Sequence, residues 1–332
     1  MTVDEIAKRA NVSKATVSRV INESGYVSKE KREKVLSVLK DIDYQIPENT
    51  RKAGIRRIHT IGVVVSEMTN PYFLSAFEGI ASVADQYDID VVFYNSDRNP
   101  EKEIRALKRL KEMQVQGIII APTLDFDNFQ SSQRFGEAMN NTKIPIVFMD
   151  ATAELDEWDG VFFDNFAGAF KAVDAMIQAG HREIGILTGD RRIKTVRDRF
   201  RGYCKALEVN GIERRDNFIL EGDFTREGAY RTAKEYLKNG KMPQAIFTCN
   251  NFTTEGFFKA VLEEKLVLGQ DIFCMAFDKL EQFDMFGLNY SYLERNPWEM
   301  GKAAMEMLLE RLKNPSILCT RKIIPFHIIM NS

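Results

Sequence analysis

The chain has 332 residues, 44% of them hydrophobic and 28% charged, with a formal net charge of −2, which excludes a disordered or collagen-like chain and fits a folded protein in water. That length exceeds what one hydrophobic core organises, so it predicts a small domain joined to a larger, two-lobed one. Charge is unevenly spread: residues 1–60 carry 13 Lys+Arg against 8 Asp+Glu (+5) and the remainder 33 against 40 (−7), so the positive charge lies at the N-terminal end, where a nucleic acid would be met.

In chain order, residues 2–7 open a short helix, with Thr2 and Glu5 at capping-box spacing. Asn11 and Val12 turn the chain, and Ser13 caps a second helix that runs to Asn22. Val3, Ile6, Ala7 and Ala10 form one apolar stripe and Val17, Val20 and Ile21 another. Stripes this short are buried only against each other and a third helix. Ser28 starts that helix, and Val35, Leu36, Leu39 and Ile42 are its expected core face. Ser13, Lys14, Ala15, Ser18, Arg19 and Asn22 are left facing outward, placed to reach phosphates or base edges; a plain three-helix cap with a solvated face is the alternative.

This pattern, above all Val12-Ser13-Lys14-Ala15-Thr16-Val17-Ser18-Arg19-Val20-Ile21-Asn22, resembles the N-terminal helix-turn-helix of the lactose-repressor (LacI/GalR) family of bacterial transcription regulators. The resemblance extends more weakly over the whole chain. Asn11 stands where that family commonly has glycine, and Asn also tolerates the left-handed conformation. The resemblance implies that Arg19 contacts a guanine, Lys14 a base or phosphate and Ala15 a thymine methyl, while Ser13, Thr16, Ser18 and Asn22 fix the register on phosphates.

Residues 44–60 are rich in charge and poor in apolar periodicity, the character of a linker. In the resembled family this segment forms a hinge helix on DNA and wedges a leucine into the minor groove; the matching position here is Ala53, a poor wedge. A tether with Arg51, Lys52, Arg56 and Arg57 on phosphate is an equal alternative.

Beyond residue 60, apolar runs at 61–65, 91–94, 117–120, 144–148, 184–187, 245–247 and 272–275 alternate with amphipathic helices. This predicts parallel sheets covered on both faces, with ligands at the carboxyl ends of the strands. The resemblance implies a periplasmic-binding-protein-like core of two doubly wound parallel-sheet lobes. The expected organisation is a helix-turn-helix domain over 1–43, a hinge over 44–60, and an effector-binding and dimerisation domain over 61–332. Lobe one takes 61–161 plus 293–322, and lobe two 162–292 plus 323–332, with three crossovers near 162, 293 and 322.

Carried over position by position, Arg199 resembles an effector-clamping arginine and Asp278 a hydroxyl-binding aspartate. Asn250 and Phe224 match polar and aromatic walls, Asp150 is a further acceptor, and Ser66, Asn70, Tyr72 and Phe73 belong to the first-lobe side. Carboxylates and amides bond hydroxyls while an aromatic ring covers the apolar sugar face. Asn251 and Lys279 stand where the family often has aspartates, and Ala276 replaces a common glycine. With Arg191, Arg192, Lys194, Arg197 and Arg199 close together, the site is less negative, which tips the expected effector toward a sugar acid or sugar phosphate.

No G-x-G-x-x-G, G-x-x-x-x-G-K-[ST] or G-x-S-x-G motif occurs, so the rival α/β carbohydrate-processing enzyme has no catalytic motif to stand on; a sensor without operator-specific DNA binding is the other alternative. Cys204, Cys249, Cys274 and Cys319 form no CxxC pair, and His59, His181 and His327 are scattered, so neither metal nor cofactor is expected; the cysteines read as small buried side chains. No apolar run reaches the roughly 20 residues of a membrane helix and the N-terminus is polar. The expectation is a cytoplasmic homodimer that binds operator DNA and a small carbohydrate effector.

Overall fold

The computed structural model describes residues 3–21, 27–41, 60–126, 128–140, 142–150, 158–239 and 242–331. The chain divides into two compact units, Met1–His59 and Thr60–Ser332. In the first, α1 (Val3–Arg9), α2 (Lys14–Ile21) and α3 (Lys29–Asp41) surround a core of Ile6, Ala7, Ala10, Val17, Val20, Ile21, Val35 and Leu39. The turn is the expected left-handed one: Asn11 has φ +52°, and the amides of Val12 and Asn11 close on the carbonyls of Ala7 and Lys8 at 3.0 and 3.3 Å. Ser13 Oγ caps α2 by accepting from the Thr16 amide at 3.1 Å. Leu36 departs from its expected core role, because Val35 and Leu39 already fill the inner face of α3 and Leu36 is 45% exposed. Thr2, Asn22, Ile42, Arg51 and Ala53 lie outside the described residues.

The second unit begins with β1 (Thr60–Val65), α4 (Pro71–Gln86), β2 (Asp90–Asn95), α5 (Pro100–Glu112), β3 (Ile118–Ile120), α6 (Phe129–Ala138), β4 (Ile146–Met149) and β5 (Asp159–Phe162). There follow α7 (Asn165–Gln178), β6 (Ile184–Thr188), α8 (Lys194–Val209), β7 (Ile219–Glu221), α9 (Arg226–Lys238), β8 (Ala245–Thr248), α10 (Asn251–Glu263) and β9 (Phe273–Ala276). The last elements are α11 (Glu281–Met285), β10 (Ser291–Arg295), α12 (Pro297–Lys313), β11 (Arg321–Ile323) and β12 (Phe326–Ile329).

Two six-stranded sheets result, ordered β11-β5-β4-β3-β1-β2 and β12-β10-β9-β8-β6-β7. All pairings are parallel except β12, which runs antiparallel to β10. Each sheet reverses its strand order beside its first strand, between β1 and β3 and between β6 and β8, and such reversals open crevices at the carboxyl ends of strands. The chain passes between the sheets after β5, after β10 and between β11 and β12, where the Ile324 amide donates to the Phe162 carbonyl at 2.8 Å.

The apolar stripes over 73–83 and 253–261, each readable as a dimer surface or as core, are core: Phe73, Ala76, Ile80 and Val83 are buried, as are Phe257, Phe258, Ala260 and Val261. Of the cysteines, Cys249 and Cys274 are buried as expected, Cys204 is half-buried and Cys319 is exposed. His181 packs its ring on Phe273, centroids 4.4 Å apart, and burial lowers its pKa. Among the described residues no helix is long and apolar enough to cross a membrane.

The first lobe turns on a backbone contact between α4 and α12. A Cβ built on Gly301 would strike the Ala76 carbonyl, and one on Gly79 the Trp298 carbonyl. Only glycine permits this approach. Gly301→Ala is expected to cost about 1–3 kcal/mol by overpacking, read as a lower midpoint in urea unfolding with an unchanged m-value.

Candidate DNA-reading helix and effector cleft

On α2 the apolar side chains Val17, Val20 and Ile21 turn inward, leaving Ser13, Lys14, Ala15, Ser18 and Arg19 exposed and Thr16 half-buried. Ser13 Oγ also lies 2.9 Å from Thr16 Oγ1, so these two residues build the helix start as well as standing on its outer face. This is the geometry of a short helix presented to a groove, with side chains of mixed hydrogen-bonding character at its N-terminal end.

In the large unit, residues just past the strand ends of both sheets converge. Asn70 caps α4, its Oδ1 accepting from the Tyr72 amide at 3.0 Å, and the same oxygen accepts from Asn251 Nδ2 of the other lobe at 3.0 Å. Asn250 caps α10: its Oδ1 takes the Thr253 amide at 2.8 Å, so that oxygen serves the helix. Asp150, directly after β4, and Phe224, three residues past the end of β7, sit in left-handed conformation with φ +57° and +65°. Ser66 is half-buried after β1. Tyr72 and Phe73 pack edge to face, 5.1 Å apart, and Phe73 is core.

The centre of the cleft belongs to a residue that motif matching did not identify. Arg295, the last residue of β10, donates from Nε to Asp278 Oδ1 at 2.6 Å and from Nη1 to Asp150 Oδ1 at 3.4 Å, and so ties carboxylates from the two lobes. Its side chain is 4% exposed. The guanidinium lies 4.0 Å from the Tyr72 ring centre, 4.8 Å from Phe163 and 5.2 Å from Phe277. Burial opposes its charge, but Asp278, Tyr72 and Asp150 outweigh burial and raise its pKa. Burial also pushes the Asp150 carboxyl up, against the pull of Arg295, and holds the Tyr72 phenol well above its ordinary value.

Arg199 is equally buried, at 3% exposure. Its Nε donates to Asn165 Oδ1 at 2.8 Å, its Nη1 to the Cys249 carbonyl, and its guanidinium lies 3.7 Å from the Phe277 ring centre. Burial first, and then Arg295, lowers its pKa to about 10.

The other basic residues of this loop are matched locally. Arg191 pairs with Glu221 at 3.0 Å, Arg192 with Asp190 at 2.6 Å and Lys194 with Asp198 at 3.8 Å. Arg197 reaches Asp125 of the other lobe at 3.6 Å, and Arg98 of the first lobe pairs with Glu67 and donates to the Phe224 carbonyl at 3.3 Å. A cavity of about 1040 Å³ opens among Arg98, Arg191, Arg197, Phe200 and Glu221. A second, about 740 Å³, is bordered by Tyr72, Asn251, Asp278, Arg295 and Asn296.

Two family descriptions match this chain: residues 58–325 match the periplasmic binding proteins and sugar binding domain of the LacI family, and residues 2–47 the bacterial regulatory proteins of the lacI family. The chain belongs to the LacI family. The ribose operon repressor of Haemophilus influenzae is 29% identical over 315 residues, covering 95% of this chain and 93% of that protein. Catabolite control protein A of Priestia megaterium is 26% identical over 319 residues, covering 96% and 94%. A solved structure of the Lac repressor dimer bound to operator and the anti-inducer ONPF superposes with a TM-score of 0.76 at 24% identity, over 100% of this chain and 98% of that one, a likeness of fold. This LacI-family chain is a DNA-binding regulator and not an enzyme.

In this regulator Arg295, Asn251 and Asn165 join the sequence-read residues, whereas Phe73 is drawn into the core. Asp278→Asn removes the closest partner of a buried guanidinium, and stranding such a charge costs about 3–5 kcal/mol. Equilibrium unfolding in urea checks this, with an unchanged midpoint as the result that contradicts it.

Proposed function

We propose that the chain is a repressor that binds a roughly palindromic operator as a homodimer and changes its affinity for DNA when a small carbohydrate-type effector enters the cleft between the two lobes. The observation that carries this reading is the outward face of α2, where Lys14, Ala15, Ser18 and Arg19 are exposed over a buried Val17, Val20 and Ile21. In the same chain, buried polar residues from two sheets face a cleft. Relatives of near-full coverage are named as repressors, and the Lac repressor neighbour is a dimer on its operator.

In this reading residues 1–43 read the DNA, 44–60 link, and 61–332 bind effector and dimerise. Arg19 contacts a guanine, Lys14 a base or phosphate and Ala15 a thymine methyl, while Ser13, Thr16, Ser18 and Asn22 set the register and Arg51 and Ala53 lie at the minor groove. The effector is held by Arg199, Asp150, Asp278, Asn250, Asn70, Ser66, Tyr72 and Phe224. A sugar acid or sugar phosphate fits better than a neutral sugar. The support for an anion is Arg199, whose hydrogen-bond partners, Asn165 and Cys249, are both uncharged. The surface arginines add little, since acidic neighbours already match them.

Selection of binding sites from random duplex DNA, with and without sugars, sugar acids and sugar phosphates, tests the proposal. A palindrome whose recovery changes with one small molecule supports it, and binding that is salt-sensitive but indifferent to sequence overturns it. On the selected site Arg19→Ala is expected to cost about 1–3 kcal/mol and to relax the preference at one base pair, measured by fluorescence anisotropy across single-base variants.

A further inference from the structure

Two of the passages between the lobes, at 295–297 and 324–325, border the cavity of about 740 Å³. The start of α4 walls it from the first lobe and residues 278–282 wall it from the second. Of the residues proposed to hold the effector, only Tyr72 and Asp278 reach it, so this space is distinct from the effector cleft.

Its lining is acidic. Glu78, Asp278, Glu281, Glu294 and Glu299 stand against Lys279 and Arg295. Arg295 is bonded to Asp278 at 2.6 Å and to Asp150 at 3.4 Å, and Glu299 reaches Lys322 at 3.7 Å. Glu78, Glu281 and Glu294 are left over, and Lys279 offsets one of them at most. Carboxylates in excess around one concave space draw cations into it. Among the described residues no three carboxylate, imidazole or thiol groups gather closely enough to hold a metal ion. The arrangement therefore suits a cation whose charges are spaced along a chain.

Asn251 supplies an independent sign of a ligand. It borders the cavity and is 3% exposed. Its Nδ2 is bonded to Asn70, which is not part of the cavity wall, so the opposite edge of the planar amide, Oδ1, is the one turned toward the cavity. That oxygen is buried with no hydrogen-bond partner. A buried acceptor of this kind calls for a donor, and an ammonium group has donors only. The wall between the polar groups is apolar: Leu280 and Ile324, each 1% exposed, with Tyr72 and Pro325. Methylene groups pack on such a surface without stranding a polar atom.

We propose that this cavity is a second ligand site, separate from the effector cleft, that takes a linear aliphatic polyamine. Its ammonium groups are matched to Glu78, Glu281 and Glu294, one N–H is donated to Asn251 Oδ1, and its methylenes lie along Tyr72, Leu280 and Ile324. The walls come from both lobes, so the bound chain bridges them at the passages. The site goes beyond the effector-controlled reading and does not depend on it.

Titration calorimetry of the full chain without DNA tests this, with spermidine as the probe and 1,8-octanediol and magnesium chloride as controls. Spermidine is expected to bind once per chain and to persist against magnesium at matched ionic strength, while octanediol does not bind. Glu78 and Glu281 are exposed and Glu294 is half-buried, so the triple variant Glu78→Gln, Glu281→Gln, Glu294→Gln keeps its fold. It should bind spermidine roughly tenfold more weakly or worse, and Asn251→Ala should weaken binding as well. A second triple variant, Glu112→Gln, Glu137→Gln, Glu213→Gln, removes the same charge from exposed positions outside the cavity and should leave the affinity unchanged.

No binding of spermidine, or an equal loss in both triple variants, overturns the proposal, the latter because it marks general attraction to an acidic surface. Unchanged spermidine affinity in the cavity variant overturns it too, and a shift of that variant's dimer dissociation would then give the three carboxylates to a second copy of the chain.

Discussion

A single guanidinium, that of Arg295, is where the large unit converges. It is held by a carboxylate from each lobe and covered by Tyr72, Phe163 and Phe277. Arg295 closes β10 of the second sheet, Asn296 immediately caps α12 of the first lobe by accepting from the Glu299 amide at 3.0 Å, and the passage between lobes lies at that junction. Strand end, helix start, interlobe crossover and buried ion cluster are thus neighbouring residues. A charge so placed persists only because its partners are placed with it, which couples the geometry of the cleft to the separation of the lobes.

Around that cluster the cleft is made largely of helix beginnings. Asn70 starts α4, Asp164 α7, Asn250 α10 and Asn296 α12, each accepting a backbone amide of the first turn. Short polar side chains are required there by the helices themselves, and their remaining atoms are offered to whatever occupies the space. Helix N-termini also carry partial positive charge, which adds to the field of the nearby side chains. The Asn70 oxygen shows the economy of this arrangement, since one atom caps α4 and receives the cross-lobe bond from Asn251.

Much of this was legible in the amino-acid sequence, for identifiable reasons. Continuous apolar runs mark β1, β3, β4, β6, β8 and β9 because a strand buried on both faces has no polar position. The Asn11 turn and the Ser13 cap are written in adjacent residues. By contrast β5, Asp-Gly-Val-Phe, opens with two poor strand formers, and β11, Arg-Lys-Ile, is an exposed edge without an apolar face. Leu36 misled because a short, charged helix has several apolar residues but room for only one inner row. Arg295 escaped because its meaning lies in contacts to Asp278 and Asp150, 17 and 145 residues away, and no local spacing records them. The arginine-rich loop showed the converse error, since its charges are conspicuous in sequence and largely matched by nearby acids in space.

The glycines at 79 and 301 bring α4 and α12 together backbone to backbone. Beside the glycines, Tyr72 of α4 and Met300 of α12 also meet across the seam, at 3.0 Å, so backbone contact and side-chain packing close it together. Helices held this closely have little room to slide past one another without first separating. In engineering terms α4 and α12 form one laminated strut along the first lobe, and its bond line is the pair of glycines.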